Sequence, residues 1–269
     1  MHADDDSRIQ LNGRPADVAD LRTPALLNYG HFTSMQVSRG RVRGLDLHLE
    51  RLRHATLELF GTALDLDATR GWMRQVAGTS GTCTLRVNVF SRALHRDRLA
   101  MPAAPDVLVS AVPARALVPT PLRVRSAHYR REAPHIKHVG TFGLFHQKRL
   151  AQAAGFDDAL FVDADGAVCE GSIWNIGFFD GERIVWPDAP MLQGVSMQLL
   201  QAGLRRLGVP TLTRRIGLAD VAGFRSAFFT NTACAVMPIA GIDDVGFIVD
   251  PLLQERLEES FALNPWQPI

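Results

Sequence analysis

The sequence predicts an α+β protein of two domains. Strand-like segments that alternate apolar and polar residues are mixed with amphipathic helical segments, without the regular strand–helix–strand repeat of a parallel α/β sheet. The stretch VPARALVPTP, residues 112–121, is poor in helix signals and carries prolines at 113, 119 and 121, as a linker does. The chain has 269 residues, 46% hydrophobic and 21% charged, which is material for two cores. The expected division is a first domain over residues 1–113, a linker over 114–121 and a second domain over 122–269.

The first domain opens with a short disordered start. HFTSMQVSRGRV (31–42) alternates and reverses at Arg39-Gly40, as a hairpin does. Residues 46–60 place Leu49, Leu52, Leu57 and Phe60 at helical spacing, and Gly61 closes that helix. A second helix is expected at 67–77, then strands at 83–92 and 105–113.

In the second domain a strand from residue 122 leads to a helix at about 142–155, ended by Gly155. Residues 157–187 read as a strand meander with turns at Asp165-Gly166 and Asp180-Gly181. A helix follows at 196–207, stopped by Gly208 and Pro210. SAFFTNTACAVMPIAGIDD (226–244) reads as strand, polar break and strand, and a last helix lies near 251–262.

Composition excludes several classes of function. The formal net charge of +1 argues against binding nucleic acid through phosphate neutralisation. MHADDDSRIQ is no signal peptide, and no run is long and apolar enough to span a bilayer, so a cytoplasmic location is expected. Cys83, Cys169 and Cys234 are far apart and fit reduced thiols. The nine histidines show no H-x-x-x-H pair, so no metal site is expected. There is no internal repeat, P-loop or G-x-G-x-x-G.

Of 29 basic residues only Lys137 and Lys148 are lysine. Lysine and arginine serve alike as solvated charge and differ where an amine must lose its proton. Lys137 follows a proline, has His135 and His138 beside it and precedes a helix, so it is either a nucleophile or a surface charge. Lys148, seven residues into that helix, reads as part of a solvated face. Glu170 follows the strand GAVC, an unusual place for a carboxylate, and by itself is equally a turn residue or half of an ion pair. QGVS (193–196) leads into a helix, where backbone amides suit an anion or Ser196 simply caps. Thr232 lies in a hydroxyl-bearing break, with Asn231 before it, and Arg51 on a helix. Taken in order, Arg51, Lys137, Glu170, Gly194-Val195-Ser196 and Thr232 supply what pyridoxal phosphate needs. These are a lysine for its imine, a carboxylate for its ring nitrogen and donors for its phosphate.

With this series the chain resembles the class IV, fold-type IV, pyridoxal-phosphate enzymes, a group that includes branched-chain and D-amino acid aminotransferases and aminodeoxychorismate lyase. The resemblance runs from about Tyr29 to Pro238. Its most specific part is Lys137 followed by EGSIWNIGFF from Glu170 and by LQGVS at 192–196. It implies a small N-terminal α/β domain, a larger C-terminal pseudo-barrel domain carrying the cofactor lysine, and a homodimer. By the same resemblance, Lys137 forms the internal aldimine and shuttles the α-proton, and Glu170 partners the pyridine nitrogen. Arg51, Val195, Ser196 and Thr232, with Asn231 alongside, hold the phosphate, and Asn175 is structural. Tyr29 and Arg92, the latter in FSRA, resemble substrate-binding positions, although Ala93 stands where the family motif has glycine.

Phe142 stands where branched-chain enzymes have a tyrosine. The basic run Arg123 to His138 either lines a site for an anionic substrate or is solvated strand edge. The implied activity is an aminotransferase acting between an amino acid or amine and a 2-keto acid. The alternatives are a 4-amino-4-deoxychorismate lyase type of reaction releasing pyruvate, to which YGHFTSMQV (29–37) and TNTACAVMPI have equal likeness, and a catalytically silent homologue.

Overall fold

The computed structural model describes residues 8–114 and 117–269; the acidic start and residues 115 and 116 of the expected linker lie outside the described residues. Contacts divide the chain into two compact units. The first comprises the described residues up to 114 together with 136–140 and 265–269, and the second comprises 117–135 and 141–264.

The first unit begins with a hairpin, β1 (Arg8–Leu11) and β2 (Arg14–Pro15), where the sequence suggests a disordered start. The cause is Asn12-Gly13, both at positive φ (49° and 83°), the pair that a tight hairpin turn requires. After the short helix α1 (Arg22–Leu26) come β3 (His31–Ser38), β4 (Arg41–Arg43), α2 (Leu45–Phe60), α3 (Leu66–Ala77), β5 (Thr82–Phe90) and β6 (Asp106–Pro113). The β3–β4 turn falls at Arg39-Gly40, and Gly61, at φ 61°, ends α2 with its amide on the Leu57 carbonyl.

The second unit contains β7 (Leu122–His128), α4 (Phe142–Ala153), β8 (Asp158–Val162), β9 (Val168–Gly171), β10 (Asn175–Phe179) and β11 (Ile184–Pro187). It continues with α5 (Val195–Arg206), β12 (Thr211–Arg214), β13 (Ser226–Thr230), β14 (Met237–Ile242), β15 (Val245–Gly246) and α6 (Pro251–Ala262). The last strand, β16 (Trp266–Pro268), belongs to the first unit.

Among the described residues the first unit forms a seven-stranded sheet in the order β16-β4-β3-β5-β6-β1-β2, antiparallel throughout. Its buried core joins Met35 and Val37 of β3 and Leu85 and Val87 of β5 to Leu52 and Phe60 of α2 and Met73 of α3. Full burial of one such side chain stabilises by about 1.5–3 kcal/mol.

The second unit forms a nine-stranded sheet among the described residues, in the order β12-β11-β10-β13-β14-β7-β8-β9 with β15 paired to β14. β7 and β8 are parallel, so the chain between them must cross over. That crossover contains Lys137 and α4. Helices α5 and α6 cross closely, because a Cβ at Gly203 would meet the Ser260 carbonyl oxygen at 1.8 Å.

Candidate active site

In the first unit the residues around Lys137 extend the edge of β3. The Phe32 amide donates to the Lys137 carbonyl at 2.9 Å and the Val139 amide to the Gly30 carbonyl at 2.9 Å, with His31 facing His138 in an antiparallel bridge. The Lys137 backbone is therefore fixed, while its half-buried side chain places Nζ 5.0 Å from the centre of the Phe32 ring. Arg86 of β5 stacks on the same ring, its Cζ 3.7 Å from the centre, and its Nε donates to Asn88 Oδ1 at 2.8 Å. Burial pulls the Arg86 guanidinium below its ordinary range. Arg51 lies on α2, one turn after the buried His48. The imidazole of His48 is held far below its usual range, first by burial and then by the charges of Arg51 and Lys137.

In the second unit Glu170 lies one residue before the end of β9 and is 4% exposed. Its Oε2 accepts the Leu192 amide at 3.3 Å. Asn175 ties down the same loop, donating from Nδ2 to the Leu192 carbonyl at 2.7 Å. Its Oδ1 lies against Gly194, where a Cβ would come within 1.9 Å. Gly194 has φ −63°, so it is required by space and not by conformation. Val195 and Ser196 then open α5, both buried, and Ser196 Oγ has no hydrogen-bond partner among the described residues. The first amides of a helix carry partial positive charge and lack partners within the helix, so this turn suits an anion.

Asn231 shapes the loop after β13, its Oδ1 accepting the amides of Ala233 and Cys234 at 2.8 and 2.9 Å, which leaves Thr232 partly exposed at the bend. The buried Arg131, from the ambiguous basic run, is 5% exposed. Burial lowers its pKa against the opposing charge of Glu170.

A family model for class IV amino-transferases matches residues 30–242. The chain belongs to the class IV aminotransferases. A probable branched-chain-amino-acid aminotransferase of Rickettsia bellii is 30% identical over 147 residues, 51% of this chain and 50% of that protein. The aminodeoxychorismate lyase of Bacillus subtilis is 28% identical over 92 residues, 34% of this chain and 31% of that protein. The chain thus spans about half or less of the length of the curated relatives it matches. Among solved structures, the T.th. branched-chain amino acid aminotransferase complexed with N-(5'-phosphopyridoxyl)-L-glutamate superposes with TM-score 0.82 at 21% identity, covering 96% of this chain and 95% of that one. The fold is therefore that of the fold-type IV enzymes.

Within this class IV fold the remaining sequence candidates occupy distinct settings. Arg92 donates to Asp20 Oδ1 at 3.1 Å and to Asp106 Oδ1 at 2.8 Å, so its guanidinium is engaged by two carboxylates. Tyr29 directs its hydroxyl to the Leu59 carbonyl at 3.3 Å. Phe142 is 78% exposed and stacks on His146. Lys148 is not a solvated charge: its Nζ donates at 2.8 Å to Asp158 Oδ2, and Asp158 is 1% exposed. Trp174 Nε1 donates to the same oxygen at 3.1 Å. Sequence reasoning misses Arg86, His48 and Tyr129, and leaves Arg131 open within the basic run. The hydroxyl of Tyr129 lies where a side chain at 143 would go, 2.2 Å from an ideal Cβ, so any other residue there would displace the tyrosine ring. A lone tyrosine eight residues before the lysine carries no spacing signal.

Proposed function

We propose that this chain is a pyridoxal-phosphate-dependent aminotransferase that moves an amino group between an amino acid or amine and a 2-keto acid. The observation that carries the reading is the start of α5. There the buried Ser196 hydroxyl has no partner among the described residues, and glycine at 194 is required against Asn175. With Lys137, Glu170 and Arg51, this donor set fits the cofactor's aldehyde, ring nitrogen and phosphate.

Val195 and Ser196 would hold the phosphate with helix-start amides and the hydroxyl, Thr232 with its hydroxyl and Arg51 with a charge-assisted contact. Asn231 holds the loop that presents Thr232. The Glu170 carboxylate would hold the proton on the ring nitrogen. Bound pyridoxal phosphate supplies an electron sink for a carbanion at the substrate's α-carbon. The Lys137 amine would remove the α-proton and return it to the cofactor's aldehyde carbon, across the imine nitrogen. We assign the substrate carboxylate to Arg86 ahead of Arg92. Arg86 shares the Phe32 ring with Lys137, whereas Arg92 is held by Asp20 and Asp106. Tyr29 is the second substrate-side candidate.

The match to the Bacillus subtilis lyase favours a second reading, a lyase on the same residues that releases pyruvate. The two readings differ in where the amino group ends. Borohydride treatment of the protein loaded with pyridoxal phosphate should fix the cofactor on Lys137, and an adduct on Lys148 or none at all overturns the assignment. In untreated protein loaded with pyridoxal phosphate, an amino donor without acceptor should bleach the yellow colour, and a keto acid should restore it. Pyruvate release from aminodeoxychorismate with the colour retained selects the lyase. We also read the protein as a homodimer, for which light scattering is the test. A cytoplasmic location is part of the same reading and fits its three free cysteines. No helix among the described residues is long and apolar enough to cross a membrane.

A further inference from the structure

Two histidine–threonine pairs tie α2 to β3. His48 Nδ1 lies 2.6 Å from Thr33 Oγ1, and His31 Nε2 lies 2.9 Å from Thr56 Oγ1. In one pair the ring comes from the helix, in the other from the strand. All four residues are at most 1% exposed. Apolar packing holds a helix on a sheet without direction. A buried hydrogen bond adds direction, because leaving either partner unmatched is costly.

The first pair is distinguished by its neighbours. Thr33 follows Phe32, whose amide donates to the Lys137 carbonyl, and the Lys137 ammonium lies over the Phe32 ring. Three residues after His48, one helical turn on, comes Arg51. An unbroken line of covalent and hydrogen bonds therefore runs from Lys137 through Phe32, Thr33 and His48 to Arg51.

We propose that His48 is a positioning residue, which through Thr33 fixes the α2 turn bearing Arg51 in register with the strand that anchors Lys137. The amine and the guanidinium then keep one spacing. This role suits a neutral ring. Burial and the two neighbouring cations keep the imidazole unprotonated, so His48 adds a directional bond without a third positive charge. A leucine at 48 would fill the space but leave the Thr33 hydroxyl unmatched.

The inference rests on the reading that Lys137 and Arg51 hold pyridoxal phosphate. It is tested by measuring pyridoxal phosphate affinity and melting temperature side by side in the full chain. His48→Leu and Thr33→Val should each weaken binding roughly tenfold, the effect of one unmatched buried hydrogen bond. His48→Asn, whose amide reaches where Nδ1 sits, should recover most of the affinity. Thr69→Val is the control. It removes a buried hydroxyl that bonds only within α3, to the Asp65 carbonyl at 2.7 Å, and should lower melting temperature with affinity unchanged. If His48→Leu and Thr33→Val lose stability but bind the cofactor as the wild type does, His48 is merely structural and the proposal falls. If His48→Leu does not fold, Thr33→Val and His48→Asn decide alone, and wild-type affinity in Thr33→Val overturns the proposal. A wild-type protein that fails to bind pyridoxal phosphate overturns the cofactor reading itself, a result distinct from unchanged affinity in the variants.

Discussion

The ammonium of Lys148 donates to the carboxylate of Asp158 at 2.8 Å, joining α4 to the first residue of β8. Asp158 is almost fully buried, and Trp174 shares its oxygen. Lys148→Met strands a buried carboxylate, so it should destabilise the protein by about 3 kcal/mol, visible as a lower denaturant midpoint. Adding Asp158→Asn should recover part of that loss, since the amide oxygen still accepts from Trp174. A single variant as stable as wild type would show that the pair is solvated in solution.

Gly194 and Gly223 make a matched comparison. A Cβ at 194 meets Asn175 Oδ1 at 1.9 Å, while a Cβ at 223 meets nothing within 4 Å. Gly194→Ala should cost about 1–3 kcal/mol of stability and weaken cofactor binding, because the loop that opens α5 must move. Gly223→Ala should do neither. Equal behaviour in thermal melts and cofactor titrations would dismiss the role of the Asn175–Gly194 contact.

Glu170→Gln should keep the cofactor bound but slow α-proton removal by roughly tenfold or more. A neutral amide does not hold a proton on the ring nitrogen as a carboxylate does. A stopped-flow comparison of an α-deuterated donor with the unlabelled one reads this step directly. Near-normal turnover would remove Glu170 from that role.

Burial pushes the His31 imidazole from the usual 6.5 down to about 3. Its folded pKa is depressed, so the unfolded chain binds the proton first as pH falls. Stability is therefore complete above pH 6.5 and is lost as pH falls towards 3. The slope for this histidine is about 1.4 kcal/mol per pH unit across that window. His48, also depressed, adds in the same direction. Unfolding free energies measured between neutral pH and pH 5 should fall accordingly, and His31→Asn should flatten the curve. An unchanged slope in that variant would mean that His31 is protonated in the folded state.

The helices are legible because their ends carry local chemistry. Gly61 at positive φ closes α2, Asp250 caps α6 before Pro251, and Gly208 follows α5. The ordered series from Arg51 to Thr232 rests on spacing, and the class IV match over residues 30–242 spans it. What escapes depends on contacts distant in sequence. His48 sits in LDLHLERL with no local signal of its burial, which comes from packing against β3. Lys148 looks solvated because its partner is ten residues away on a strand. Residues 266–268 carry no alternation long enough to mark a strand, and only pairing with β4 makes them one. Arg131 is ambiguous within a basic run because its burial comes from tertiary packing.

The first unit is gathered from three separate stretches, and Ile269, 4% exposed, is part of its core. Its amide donates to the Gly40 carbonyl, and Arg74 donates to its carbonyl oxygen. The half of the protein that leaves the ribosome first is therefore the half that can be completed last. Its sheet waits with the edge of β4 open until residues 266–268 arrive, while the other unit has all of its strands by residue 246. A released chain truncated after residue 264 should show protease resistance in the second unit and a first unit still open to cleavage.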